Sequence, residues 1–278
     1  MADNTATGDH SPGAGGRRRG VLPLIWAYAR LNLSMAMEYR ASFLSQAFGM
    51  FVNDGLWLVF WALYFARFPV VRGWQEQDVF MLWAVVTLGF GMVMGLFGNA
   101  LRLAYLVMQG QLDYYLAMPQ DVLIHTLLGR MYFTAWGDAL FGIFVFLAFG
   151  HPTPARLIVF VLVSVLSGLI MVSFAVLAHS LAFFLGGSQA LSDQVMNALI
   201  HFSTYPTSLF HGVTKFILYT AIPAAFVSGL PVMIMRDFSW QSLAVLAAVA
   251  LAGVALAYRV FYAGLRRYES GNLVNLQG

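Results

Sequence analysis

The chain has 278 residues, of which 60% are hydrophobic and only 10% are charged, and its mean hydropathy is +0.74. Soluble globular domains do not reach these values, so the composition predicts an integral membrane protein. Cysteine is absent, which excludes disulfides and thiolate chemistry. The net charge of +3 fits a positive cytoplasmic membrane face better than nucleic-acid binding.

Residues 1–20 are rich in Gly, Ala, Asp, Thr and Ser and end in Arg17-Arg18-Arg19. This composition predicts a disordered N-terminal tail. The alternative is a signal peptide, because the three arginines precede the apolar stretch from Val21 to Ala29. Pro23 and a helical periodicity that continues as far as Glu38 argue against a signal peptide.

The hydrophobic periodicity of residues 21–41 predicts an amphipathic helix that lies in the membrane interface. Apolar side chains recur there at spacings of three and four, and polar side chains mostly occupy the other faces. A soluble helix packed on a partner is the alternative interpretation.

Six segments of the region 42–267 have the roughly 20 apolar residues needed to cross the hydrocarbon core. They run over about 42–66, 79–101, 122–149, 156–185, 191–209 and 240–265. A further apolar segment, Phe216 to Met235, is interrupted by two prolines and a glycine, which favours a re-entrant or partly inserted segment over a span. The predicted fold class is therefore an all-α integral membrane protein with six transmembrane helices, followed by a short tail over 268–278.

An even number of spans places both termini on one side, and the distribution of basic residues indicates which side. Cytoplasmic termini put eight arginines inside and five basic residues outside. The inner set is Arg17, Arg18, Arg19, Arg30, Arg40, Arg102, Arg266 and Arg267, and the outer set is Arg67, Arg72, Arg156, Lys215 and Arg236. Residues 109–121, here called the polar island, then lie in the cytoplasm, where we expect a docking surface.

Lys215 is the single lysine of the chain, and it follows Thr214 instead of a glycine. The Gly-Lys-Ser/Thr ending of a P-loop is therefore missing, and any nucleotide hydrolysis belongs to another polypeptide. The histidines have no metal-ligand spacing, and no serine lies in a Gly-x-Ser-x-Gly elbow. The sequence therefore predicts no catalytic residue, no metal site and no directly bound cofactor.

Asp54 in the first span and Arg130 and Asp138 in the third are ionisable residues within apolar segments. Such residues are costly in lipid and are functional candidates by default. Eight positions separate Arg130 from Asp138, so we do not expect a direct pair, and either can instead meet Asp54 across helices. Two interpretations remain open, namely internal ion pairs that fix helix packing and groups that line a substrate path.

Gly91 and Gly95 in the second span have the spacing that lets two helices approach closely. This small-residue face suits either a dimer interface or packing within one subunit.

Five short stretches, in a fixed order relative to the spans, carry a family resemblance. They are Glu38-Tyr39-Arg40-Ala41-Ser42-Phe43, Gly110-Gln111-Leu112-Asp113 with Pro119, Tyr205-Pro206-Thr207-Ser208-Leu209-Phe210, Ile222-Pro223-Ala224-Ala225-Phe226 and Leu265-Arg266-Arg267-Tyr268-Glu269-Ser270. Together they resemble the permeases of type-2 ABC exporters. The resemblance is closest to a small bacterial branch, usually paired with a second permease beside a separate ATPase.

The resemblance implies a six-span permease of the bacterial cytoplasmic membrane that works by alternating access, with both termini cytoplasmic. It implies that a coupling helix contacts the ATPase through Gln109, Gly110, Gln111, Leu112, Asp113, Tyr114, Tyr115 and Leu116. The family pattern usually has Glu where this chain has Gln111, and a basic residue where it has Met118.

The implied partners are an ABC ATPase that holds ATP and Mg²⁺, a second copy or paralogue of the permease, and membrane lipid. The implied substrate is a small molecule, a lipid or a peptide. Two other functions stay open: a secondary transporter or channel that works without an ATPase, although inverted repeats are not evident, and a membrane scaffold.

Overall fold

The computed structural model describes residues 21–268, without the side chains of Val21 and Leu22. The predicted disordered tail over 1–20 lies outside the described residues, as do residues 269–278 of the predicted C-terminal tail. The described part is helical, and its one extended pairing is an isolated bridge between Val71 and Trp74.

Thirteen α-helices follow one another along the described residues. They are α1 (Val21–Glu38), α2 (Arg40–Arg67), α3 (Glu76–Leu96), α4 (Leu103–Met108), α5 (Leu112–Leu116), α6 (Val122–Leu128), α7 (Trp136–Phe149), α8 (Pro154–His179), α9 (Ala182–Leu185), α10 (Gln189–Ser203), α11 (Gly212–Thr220), α12 (Leu230–Arg236) and α13 (Trp240–Leu265). Turns of 3₁₀-helix lie at Gly98–Arg102, Phe133–Ala135 and Thr207–Leu209, and a π-helical turn lies at Ala225–Gly229.

Among the described residues, four helices are long and apolar enough to cross a membrane, namely α2, α3, α8 continued through α9, and α13. Two bent pairs reach the same length only when their parts are taken together. Residues 122–128 and 133–149 are bent by 73°, and residues 212–220 and 225–236 are bent by 74°. Residues 21–268 therefore contain four to six candidate spans, which confirms the predicted all-α membrane fold.

The predicted third span is not one continuous helix, because α6 ends at Leu128 and the chain turns before α7 begins. Asn32 of α1 holds this break, since its side-chain oxygen accepts a hydrogen bond from the Met131 backbone N–H at 3.2 Å. The second bend lies next to Pro223, whose ring cannot continue a regular helix. The interruption predicted within 216–235 is thus present, and the bent pair fits either a broken span or a re-entrant loop.

The predicted second and fifth spans both extend too far. Helix α3 ends at Leu96 rather than near residue 101. Helix α10 has only 15 residues, a length of about 22 Å, which is less than the hydrocarbon core. Pro206 disfavours the helical conformation of the residue before it, so the helix cannot continue to residue 209.

Helix α3 forms the centre of the bundle, with 15 of its 21 residues buried, and it packs between α7 and α8. A Cβ atom on Gly91 would lie 2.5 Å from backbone atoms of Ala135 and Ala139, and one on Gly95 would lie 2.8 Å from the Trp136 indole nitrogen. Of the two interpretations of Gly91 and Gly95, packing within one subunit is the one that agrees with the structure, because residues of the same chain already lie against both glycines.

The outer helices α1, α2 and α13 leave many of their apolar side chains exposed. Helix α1 forms where the interfacial helix was predicted, and of its described side chains only Asn32 is buried. In a membrane protein, lipid or another subunit covers such apolar faces.

Candidate functional site

The polar island folds around the short helix α5. Gly110 has a φ of +68°, a conformation that favours glycine, and it turns the chain between α4 and α5. Within α5, Leu112 is completely buried, whereas Tyr114 is 61% exposed and Leu116 is 43% exposed. Leu112 therefore anchors the helix to the bundle, and Tyr114 and Leu116 form an exposed aromatic and apolar surface.

Tyr115 points into the protein and joins the polar island to α1. Its hydroxyl accepts a hydrogen bond from the Asn99 side-chain amide at 3.4 Å. Its ring meets the His125 ring edge-on at 5.7 Å, and His125 in turn meets Tyr28 of α1 at 5.3 Å. Burial raises the pKa of Tyr115, so its phenol is neutral near pH 7. Tyr115 is thus an anchor of the island and not part of its outer surface.

Asp121 ties the end of the polar island to the last span. One side-chain oxygen accepts the Ile124 backbone N–H at 2.9 Å and so caps α6. The other oxygen accepts the Tyr262 hydroxyl at 2.9 Å and also the Tyr258 hydroxyl, both from α13.

Tyr268, which follows α13, lies beside α5 and near Asp113. Burial and the neighbouring Asp113 carboxylate raise the pKa of Tyr268 to about 12. The polar island is therefore held to the last span through the hydrogen bonds of Asp121, and Tyr268 lies beside it without a hydrogen bond to it.

Sequence reasoning missed both the cap that Asp121 provides for α6 and its hydrogen bonds with α13. An aspartate directly before an apolar helical run is a recognisable cap signal, so the contact of Asp121 with α6 was within reach. The tyrosine partners of Asp121 lie 137 and 141 positions away along the chain, and no local pattern reports such a contact.

A cavity of about 460 Å³, here called the aspartate cavity, lies between α2, α3, α7 and α10. Asp54 and Asp138 both line this cavity, and both side chains are buried. Two neighbouring carboxyl groups can hydrogen-bond to each other only when one of them is protonated. Both oxygens of Asp138 and one oxygen of Asp54 have no hydrogen-bond partner among the described residues.

Several aromatic side chains contribute to the walls of the aspartate cavity. The rings of Trp57 and Trp83 stack at 5.9 Å between centroids, and Tyr205 also lines the space. Asn53 lies at the rim of the cavity, and its side-chain amide donates a hydrogen bond to the Asp54 carboxylate over 3.4 Å. Aromatic walls around a few polar groups are typical of a site for a small ligand. Residues 21–268 contain no group of three or more metal-ligating side chains.

Arg130 does not take part in the aspartate cavity. It lies in the break between α6 and α7, with its guanidinium carbon 4.9 Å from the centre of the Tyr132 ring. Within residues 21–268 it forms no ion pair with Asp54 or Asp138. The helix break is the physical reason, because it removes Arg130 from the helix that carries Asp138. Of the three predicted ionisable residues, only the two aspartates come together.

The fold and these two sites define a multi-pass helical membrane protein with a cavity between its spans and an ordered loop outside them. A family model described as ABC-2 family transporter protein matches residues 51–271. The chain therefore belongs to the ABC-2 transporter family, as the sequence motifs indicated, and is a membrane permease component. The match includes the aspartate cavity and the polar island. No curated protein and no solved structure matches the chain.

Proposed function

We propose that this protein is the permease subunit of an ATP-driven exporter, and that a separate ABC ATPase docks on the polar island. The observation that carries this proposal is the exposed pair Tyr114 and Leu116 on a helix anchored by Leu112. Exposed aromatic and apolar side chains in an otherwise polar loop are characteristic of protein interfaces. The arginine distribution supports a cytoplasmic position for this surface, on the side where ATP is available.

The ties of the polar island suggest how a movement of the ATPase would reach the membrane. The contacts of Tyr115 lead to α1, and the hydrogen bonds of Asp121 lead to both α6 and α13. A displacement of α5 would therefore act on the first and last helices of the bundle at the same time. Alternating access requires a coordinated movement of this kind.

The aspartate cavity is the part of the chain best suited to a substrate path. It opens on the side where Asn53 and His201 are exposed. Polar side chains facing lipid are costly, so a second permease, either another copy or a paralogue, would cover this side and complete the path. The chemistry of the cavity is compatible with a small molecule, a lipid or a peptide.

A secondary transporter or channel that works without an ATPase is the second candidate. It is favoured by one observation, the buried carboxyl pair of Asp54 and Asp138, because shared protons are a known means of coupling transport to a proton gradient. The two candidates differ in whether an ATPase partner is required.

The decisive experiment is co-purification of the tagged chain from its native cells, followed by identification of any ABC ATPase that remains bound. We expect stable association and ATP hydrolysis by the complex. Tyr114→Ala should remove the association, because it deletes an exposed aromatic anchor worth on the order of 2 kcal/mol in an interface. Phe238→Ala is the matched control, since Phe238 is also an exposed aromatic residue but lies between α12 and α13, away from the island.

Association that survives in Tyr114→Ala and also in Leu116→Ala would contradict docking on the polar island. Export by the purified chain alone, without any ATPase, would instead support the secondary transporter.

A further inference from the structure

A second cavity of about 620 Å³, here called the arginine cavity, lies between the polar island and α1. Helix α1 contributes Asn32 and Met35 to its lining, and the first turn of α2 contributes Ser42. The island contributes Gln111 and Tyr115. No lining residue is shared with the aspartate cavity, so this is a separate site.

Two arginines and no acidic residue line the arginine cavity. The guanidinium carbon of Arg102 lies 5.2 Å from the centre of the Tyr105 ring, and that of Arg130 lies 4.9 Å from the Tyr132 ring. These cation–π contacts orient the guanidinium groups but leave their charge in place. Neither arginine forms an ion pair within residues 21–268. The cavity therefore has a positive charge that attracts an anion.

The first turn of α2 adds further attraction for an anion. This helix has 28 residues and begins at Arg40, and Tyr39 provides no side-chain cap for it. The first backbone N–H groups of a helix lack partners within the helix, and its N-terminus has a partial positive charge. The side-chain amides of Gln46 and Gln111 also line the cavity and can donate hydrogen bonds.

The surroundings of the cavity favour a lipid over a free anion. Met35, Phe43 and Leu106 form an apolar part of its lining, which suits the glycerol and upper acyl region of a phospholipid. The neighbouring helix α1 exposes large apolar side chains, with Trp26 73% exposed, as expected of a helix in the membrane interface. Basic pockets on the cytoplasmic side of membrane proteins are typical sites for anionic lipid headgroups.

We propose that the arginine cavity binds the phosphate group of an anionic phospholipid, with Arg102 and Arg130 as its principal ligands. The proposal rests on the proposed function in one respect, namely that the polar island and therefore this cavity are on the cytoplasmic side. A headgroup in the cavity contacts α1, the first turn of α2 and the break between α6 and α7. It therefore stabilises the base of the island in one position.

The test uses the full chain, purified in detergent and then reconstituted in nanodiscs of phosphatidylcholine with or without phosphatidylglycerol. Native mass spectrometry counts the phosphatidylglycerol molecules retained by the protein, and thermal unfolding measures the stabilisation that they provide. The variants are Arg102→Gln, Arg130→Gln and the double variant. Arg67→Gln is the matched control, because it removes the same charge from the opposite end of α2.

We expect the wild-type protein and Arg67→Gln to retain phosphatidylglycerol and to unfold at a higher temperature in its presence. Each cavity variant should bind it roughly fivefold more weakly, as expected for the loss of one arginine contact near a lipid phosphate. Arg130 is exposed and has no ion pair within residues 21–268, so Arg130→Gln should remain folded. This single variant therefore still tests the proposal if the double variant fails to fold.

Three results would overturn the proposal. The first is equal retention of phosphatidylglycerol by the wild-type protein and the double variant. The second is equal weakening in Arg67→Gln, which would indicate a general charge effect. The third is equal stabilisation by inorganic phosphate, which would assign the cavity to a free anion. Because these measurements need no ATPase, they are independent of the co-purification result, and failure of one proposal is distinguishable from failure of the other.

Discussion

Asp121 offers the sharpest test of how the polar island is joined to the membrane domain. Asp121→Ala removes three hydrogen bonds, one from the Ile124 N–H and two from Tyr258 and Tyr262. Loss of a helix cap costs about 1 kcal/mol, and each hydrogen bond to a carboxylate contributes about 1.5–3 kcal/mol. Because Tyr258 is exposed, we take the low end for both tyrosines and expect a loss of about 4 kcal/mol. Asp121→Asn keeps an acceptor for the cap and should lose about half as much.

The assay is thermal unfolding of the purified protein in detergent, combined with ATP hydrolysis and export by the reconstituted complex. We expect stability to fall in the order wild type, Asp121→Asn, Asp121→Ala. Tyr258→Phe with Tyr262→Phe removes only the tie to α13, so it should preserve ATPase association and reduce the export obtained per ATP hydrolysed. In a double-mutant cycle, Asp121→Asn and Tyr262→Phe should be non-additive. Additive losses of stability would refute the hydrogen bond between Asp121 and Tyr262. An unchanged amount of export per ATP hydrolysed in the tyrosine double variant would refute a role of this contact in coupling.

Three other predictions concern the bundle, the aspartate cavity and the pH response. Gly91→Ala should cost about 1–3 kcal/mol in detergent unfolding because its Cβ meets backbone 2.5 Å away, whereas Gly49→Ala, with nothing within 4 Å, should stabilise by about 0.5–1 kcal/mol. Asp138→Asn gives Asp54 an amide donor, so thermal stability should persist while export falls; unchanged export would argue against a substrate path there. The pKa of Tyr268 is raised to about 12, so the folded state favours the neutral phenol. The contribution of Tyr268 to the free energy of unfolding is therefore complete below about pH 10 and is lost as the pH rises towards about 12. Tyr268→Phe should therefore lose less stability over that range in pH-dependent unfolding.

Length and hydropathy were sufficient to predict α2, α3, α8 and α13, because the thickness of the hydrocarbon core sets how many apolar residues a span requires. The same reasoning could not locate the break in the third span. That break depends on the contact between Asn32 and Met131, which are 99 positions apart, and no hydropathy window includes both.

The candidate sites were predictable only in part for the same reason. Rarity of charge in lipid identified Asp54 and Asp138 as important residues, but their meeting depends on how α2 packs against α7. The spacing of Gly91 and Gly95 predicted close helix approach correctly and left the partner open. The partner is α7 of the same chain, together with Ala135 directly before it. This choice of partner is determined by the packing of α3 at the centre of the bundle, which the spacing of the glycines does not report.

The break between α6 and α7 links the two sites of the protein. Helix α6 begins at the cap formed by Asp121, and α7 carries Asp138 in its first turn. Gly129 lies between them, and a Cβ there would collide with the Tyr115 hydroxyl. The island side chain Tyr115 therefore packs directly on the segment where the chain bends by 73°. We predict that a movement of α5 that changes this contact alters the angle between α6 and α7, and with it the position of Asp138 relative to Asp54. The bend that hydropathy could not predict is therefore the element through which we expect the polar island to act on the aspartate cavity, because Tyr115 lies against it.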